Sequence, residues 1–158
     1  MVRLRREAME YRAAQKQDIP GMARIRAESW ETESYWIPRI EAYLAGRHSP
    51  QKALAPRAAF VAVEADQVAG VVSGHLTTRF DCEGEVQWMN VGRAWQGRGI
   101  GGELVRRQAA WFVAQGARRV CVNVEPDNAT ARAFYGRHGA TPKGTHWLEW
   151  DDIGAVVR

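Results

Sequence analysis

Gln96-Gly97-Arg98-Gly99-Ile100-Gly101-Gly102 puts four glycines within six residues at the head of an amphipathic run. Side chains there would hold the backbone away from a ligand, whereas bare glycines at a helix start leave unpaired N–H groups and a positive dipole end exposed. The stretch therefore reads as a cradle for phosphate, with Arg98 and Arg93 adding formal charge. Gly97, Gly99 and Gly102 also satisfy the dinucleotide pattern G-x-G-x-x-G, and Glu125 lies about twenty residues further on, where a ribose-binding acid would sit. Position argues against that reading. A dinucleotide fold needs the loop directly after its first strand, yet 96 residues precede Gly97 and 56 follow Gly102.

A second signal follows after a short apolar strand: Asn128-Ala129-Thr130-Ala131-Arg132-Ala133-Phe134-Tyr135. With it the chain resembles the GNAT superfamily of acetyl-CoA-dependent N-acetyltransferases. The family's loop pattern Q/R-x-x-G-x-G/A is met by Gln96, Gly99 and Gly101, and its later pattern N-x-x-A-x-x-F-Y by Asn128, Ala131, Phe134 and Tyr135. Either pattern alone is common; both in this order and spacing are specific. The resemblance is carried by residues 58–150, and the first 57 residues join it only by expected layout.

Around these motifs the pattern of apolar residues predicts an α/β (α+β) chain. Glu10 to Ala14 reads as a first strand, Asp18 as the cap of a helix through Ser29, and Ser34 to Ala45 as a second helix. Gly46 to Arg57, with Pro50 and Pro56, reads as a loop. Ala58 to Glu64 and Val68 to Thr77 form a hairpin about Ala65-Asp66-Gln67, and Asp81 to Gly84 makes another turn. Glu85 to Val91 is a third strand, with Met89 and Val91 on one face and Trp88 and Asn90 on the other. Ile100 to Gln115 is a helix ending at Gly116, Arg118 to Val124 a strand, Asn128 to Gly139 a helix and Thr145 to Asp151 a last strand. Strand, loop, helix and strand imply a parallel crossover. The expected fold, as the resemblance also implies, is a GNAT-like mixed central sheet, mostly antiparallel with a splayed parallel pair, flanked by about four helices, in one domain over residues 1–158.

The resemblance implies roles for particular residues. Backbone N–H groups from Gly97 and Arg98 through Gly102 would hold the pyrophosphate. The strand carrying Met89, Asn90 and Val91 would pair its main chain with the pantetheine arm, and one of its N–H groups would polarise the thioester carbonyl. Tyr135 stands where the family carries its general acid, although a tyrosine there could also only hydrogen-bond the cofactor sulfur. Asn128 would cap its helix and contact the cofactor; Phe134 is a cofactor contact by the resemblance, while a residue of its kind more often belongs to the core. Glu85, six residues before Val91, stands where histone-type members place a glutamate base. His75 on the preceding strand is the alternative base by its intrinsic pKa. Trp95 matches the aromatic that often precedes the family's loop.

Acids and aromatics from Glu28 to Trp36 fit helical periodicity poorly and read as a wall for the acceptor, with Trp30, Glu33 and Trp36 as candidate contacts and Glu31 beside them, leaning towards a cationic small amine or peptide. Cys82 and Cys121 lack metal-type spacing and read as reduced and structural; Cys121 would be a poor covalent intermediate. The net charge of +4 comes from dispersed basic residues with no run of five, which suits a multiply phosphorylated cofactor and argues against nucleic acid. No run of 18 apolar residues exists, and Met1 to Arg6 lacks the apolar segment of a signal peptide, so no membrane association and a cytoplasmic location are expected. The chemistry expected is direct acetyl transfer from acetyl-CoA to a primary amine in a ternary complex, on a small-molecule or peptide acceptor. The alternative is an acyl-CoA-sensing module with the same fold and little turnover. Dimers are frequent in the family, and the last strand with Trp147 and Trp150 offers a surface for a homodimer.

Overall fold

A computed structural model describes residues 8–158; Met1 to Arg6 lie outside the described residues. The strands are β1 (Glu10–Ala13), β2 (Ala53–Glu64), β3 (Gln67–Thr77), β4 (Gly84–Val91), β5 (Val120–Asn123), β6 (Thr141–Lys143) and β7 (Trp147–Trp150). The helices are α1 (Ile19–Ala27), α2 (Glu33–Leu44), α3 (Ile100–Ala114), α4 (Ala129–Arg137) and the single turn α5 (Gly154–Val157). All seven strands join one sheet in the order β1-β2-β3-β4-β5-β7-β6. The β4–β5 pair is parallel and the other pairs are antiparallel. This is the mixed sheet with one parallel pair that the crossover between Glu85 and Val124 requires.

Two apolar clusters cover the two faces. Val72, Val86, Val120, Val122, Leu148 and Trp150 pack with Leu104, Val105, Ala109 and Phe112 of α3. On the opposite face Val61, Val63, Val71 and Trp88 pack with Met22, Ile25, Trp36, Ile40 and Tyr43 of α1 and α2. Central strand β3 is buried along nearly its whole length, as a strand covered on both faces must be. Helix α3 comes down onto β3 because residue 74 is glycine: a Cβ there would lie 2.7 Å from Phe112 Cζ and 2.9 Å from the Glu85 carbonyl oxygen. Gly74→Ala is thus expected to lower stability by about 2 kcal/mol through overpacking. An unchanged denaturant midpoint would contradict that packing.

A β-bulge in β4 sets the phase of the site. Ser73 faces Trp88 and Gly74 faces Val86, so Gln87 is the extra residue. Met89 and Val91 face α3 as alternation predicts, and Trp88 and Asn90 the other side. The bulge, however, moves Glu85 onto the Trp88 and Asn90 face, where strict alternation would have put it with Met89 and Val91.

The parallel pairing covers only Gly84–Val86 against Val120–Val122. Beyond it β4 stays with β3, while β5 follows β7 to the Asn123–Trp147 pair, so the two strands part and the edge of β4 from Gln87 to Val91 is left open.

Several boundaries differ from the sequence reading. Residues 53–57 extend β2 where a loop was expected, with an irregular register between Ala53 and Arg57 that accommodates Pro56. Strand β6 was missed, because Thr141-Pro142-Lys143 carries no apolar alternation. The hairpin turn is Ala65-Asp66, both at positive φ (48° and 62°) without a glycine. Asp18 precedes α1, but its carboxylate holds Arg12 and the Gln15 N–H instead of a helix N–H.

Candidate active site

Where β4 and β5 part, a cleft of about 670 Å³ opens between β4, the start of α3 and the inner side of α4. Met89, Asn90 and Val91 line it from the strand, Gln96, Gly97 and Gly99 to Gly102 from the loop and first turn, and Asn128, Ala131, Phe134 and Tyr135 from α4. Residues 45 positions apart in sequence thus share one wall.

The loop's shape depends on glycine. Gly97 and Gly99 take φ of 78° and 79°, and Gly99 is the residue from which α3 starts. Positions 101 and 102 need glycine for a different reason. A Cβ on Gly101 would sit 3.0 Å from Phe134 Cε2 and 3.3 Å from Met89 Cε, and one on Gly102 would sit 3.2 Å from His138 Cε1. The first turn of α3 therefore stands bare against α4 and β4, with its helix-start N–H groups bordering the cleft. Asn128 accepts the Ala131 N–H at 3.1 Å as the cap of α4 and lines the cleft as well.

Arg98 departs from expectation. Its guanidinium forks onto Glu64, both nitrogens donating at 3.0 Å, and its side chain leaves the cleft wall. The cations that do line the cleft are Arg106 and Arg137, with His138 beside them. Burial and those two arginines hold the His138 pKa below its usual value. Sequence reasoning missed all three, although Arg106 stands four residues after Gly102 on the same helix face.

Gly99→Val would force a β-branched residue into the left-handed region or collapse the loop, at a cost of about 1–2 kcal/mol. Acetyl-CoA affinity in this variant is expected to fall by about tenfold. Gly46 has φ of 77° away from the cleft, so Gly46→Val is the control, expected to lose stability without losing affinity. Equal affinities for the two variants in calorimetric titration would separate the loop from ligand binding.

The sequence profile of the acetyltransferase (GNAT) family matches residues 13–140. The chain belongs to the GNAT acetyltransferase family. A proposed GNAT acetyltransferase from Desulfovibrio desulfuricans shares the fold at a TM-score of 0.76 and 16% identity, covering 92% of this chain and 99% of that one. A GNAT acetyltransferase from Brucella melitensis, solved in complex with acetyl-CoA, gives a TM-score of 0.61 at 22% identity, covering 90% of this chain and 87% of that one. Mycothiol acetyltransferase from Beutenbergia cavernae is 41% identical over 63 residues. That match spans 40% of this chain and 21% of the relative's length.

In this GNAT chain Tyr135 is 6% exposed, its ring edge-on to Trp150 at 5.7 Å and next to Phe134. Burial pushes its phenol pKa up, and the Arg26 charge opposes that shift. Glu85 and His75 are cross-strand partners, so the two candidate bases meet in one buried cluster that stands off the cleft wall. Arg79 Nε donates to Glu85 Oε1 at 2.9 Å, His75 Nε2 stands 3.8 Å from Glu85 Oε2, and His75 Nδ1 meets the Tyr43 hydroxyl at 2.9 Å. Burial, with Arg57 and Arg79, lowers the His75 pKa to about 4, so the ring is neutral near pH 7. Burial raises the Glu85 pKa against the pull of Arg79.

The aromatic wall is also reassigned. Trp36 is buried in the α1–α2 core, donating its indole N–H to the Trp30 carbonyl at 2.7 Å and packing edge-on to Trp88. Trp30 is 58% exposed and Glu33 is exposed in the first turn of α2; none of the three lines the cleft. Cys82 and Cys121 are free and buried, and burial lifts the Cys82 thiol to about 11 and the Cys121 thiol higher still. Neither is a thiolate at neutral pH. Among the described residues, no helix is long and apolar enough to cross a membrane.

Proposed function

We propose that this domain transfers the acetyl group of acetyl-CoA to a primary amine by direct attack, with both reactants bound together. One observation carries the reading: the glycine turn of α3, the open edge of β4 and the Tyr135 side chain face one cleft. That cleft has the composition the ligand asks for. Bare helix-start N–H groups and the Arg106 and Arg137 cations suit phosphates, and an unpaired strand edge suits the amides of a pantetheine arm.

Acetyl-CoA supplies an activated acyl group as a thioester. The chain's own groups do the rest. The N–H groups from Gly99 to Gly102 hold the pyrophosphate, the Met89 to Val91 main chain aligns the arm, and a β4 N–H polarises the carbonyl. Tyr135 donates its phenolic proton to the departing sulfur and regains one from solvent. Glu85, on the Asn90 face of β4 and with a raised pKa, accepts the amine proton through a bridging water. An assay of thiol release with acetyl-CoA across a panel of amines, with mass spectrometry of the products, tests this. Amine-dependent release with an N-acetylated product is expected. Binding of acetyl-CoA without release for any amine would favour a sensing module instead.

A further inference from the structure

Arg26, in the last turn of α1, does not itself line the cleft; its guanidinium packs behind Asn90, which does. Nη1 donates to Asn90 Oδ1 at 2.7 Å, and the group lies 4.2 Å from the Trp36 ring centre and 5.5 Å from that of Trp88. Its Nε is sealed from solvent and has no hydrogen-bond acceptor. Burial lowers its pKa to about 10, so it remains a cation at neutral pH. Among the described residues no carboxylate pairs with it, and Glu28, two residues further on, accepts the Arg93 backbone N–H instead.

A guanidinium held this way uses one neutral amide acceptor and leaves most of its donors unfilled. Burying an unpaired charge is costly, and an arriving anion with matching geometry relieves the cost. The place is informative too. Asn90, which holds Arg26, and Ser29, which meets the Asn90 amide at 3.4 Å, both line the cleft, and Tyr135 feels the Arg26 charge. The Trp36 and Trp88 rings, edge-on to each other at 5.9 Å, sit side by side against the guanidinium, whose planar fork is suited to bidentate pairing with a carboxylate.

We propose that Arg26 receives a carboxylate of the acceptor, so that the acceptor is an amino acid or a similar small amino-carboxylic acid and not a polyamine. The proposal rests on the acetyl-transfer reading and reverses the lean towards a cationic acceptor. The exposed Glu33 stands off the cleft, and Glu28 is already engaged.

The test measures thiol release from acetyl-CoA with the proteinogenic amino acids, each paired with its α-amide, and with spermidine. The best acceptor is expected to be a free acid, with kcat/KM about tenfold or more above its amide. Arg26→Met should lower kcat/KM for that acid by about 30-fold, mainly through KM, and bring the acid-to-amide ratio towards one. Arg26→Lys should restore part of the preference. The wild-type ratio needs no variant, so the test stands even if Arg26→Met does not fold. Amides or spermidine used as well as acids, or an acid preference that survives Arg26→Met, would overturn the proposal. So would the absence of every acid both from the substrates and from the compounds that raise the melting temperature in the presence of CoA. Release with spermidine or amides but not acids removes the Arg26 proposal alone. Failure of acetyl-CoA to bind or to release thiol with any compound removes the acetyl-transfer reading as well.

Discussion

Replacing Tyr135 with Phe is expected to lower kcat by about 10²- to 10³-fold while leaving acetyl-CoA affinity within about twofold. The substitution deletes one hydroxyl and keeps the ring, whose edge-on contacts with Phe134 and Trp150 belong to the apolar cluster. The fold and cleft should therefore survive. What is lost is the proton for the departing sulfur. Burial raises the Tyr135 pKa above the ordinary phenol value, so the hydroxyl is protonated throughout the neutral range and the donor titrates only under strongly basic conditions. Arg26 opposes that shift and so favours the phenolate left after transfer. Pre-steady-state thiol release separates the chemical step from product release. An unchanged rate there, with unchanged binding, would take the acid role away from Tyr135.

Glu85→Gln is expected to lower kcat by about 10²-fold and to flatten the acid side of the pH profile. The amide keeps an oxygen that can accept the 2.9 Å bond from Arg79, so the buried cluster should persist. It cannot take a proton. In the native protein the base works only when ionised, and burial raises the Glu85 pKa. Activity should accordingly fall as pH drops through a value above the usual carboxylate range. In Glu85→Gln that limb disappears, and the remaining rate should climb with pH as the acceptor amine loses its own proton. His75, neutral near pH 7 and bonded to Tyr43, does not replace the lost carboxylate. A profile of wild-type shape and height in the variant would assign the base elsewhere.

The gathering of the glycine turn, β4 and α4 around one cleft was legible because its signals are local. Glycines at a helix start, an asparagine cap and the aromatic pair after it are read from neighbouring residues, and all of them meet at one cleft. The parallel pair followed from the strand, loop, helix and strand order, because a crossover that long returns beside its origin. Long-range chemistry was hidden. Nothing near Arg98 indicates that its partner is Glu64, and nothing near Arg26 indicates that it reaches Asn90. The bulge at Gln87 is equally silent in the alternation pattern, yet it decides which face Glu85 occupies. Trp36 looked like pocket wall because periodicity failed around it. In the structure α2 runs from Glu33, after the Thr32 cap, and Trp36 in its first turns drops into the core between α2 and the sheet.

Thermal unfolding with acetyl-CoA, with NADH as control, tests the central claim most directly. A ligand at 100 times its dissociation constant adds about 2.7 kcal/mol to the native state. A clear rise in melting temperature with acetyl-CoA and none with NADH is the predicted result. No rise at saturating acetyl-CoA, or an equal rise with NADH, would contradict the assignment of the glycine turn and the Tyr135 cleft to an acetyl-CoA site.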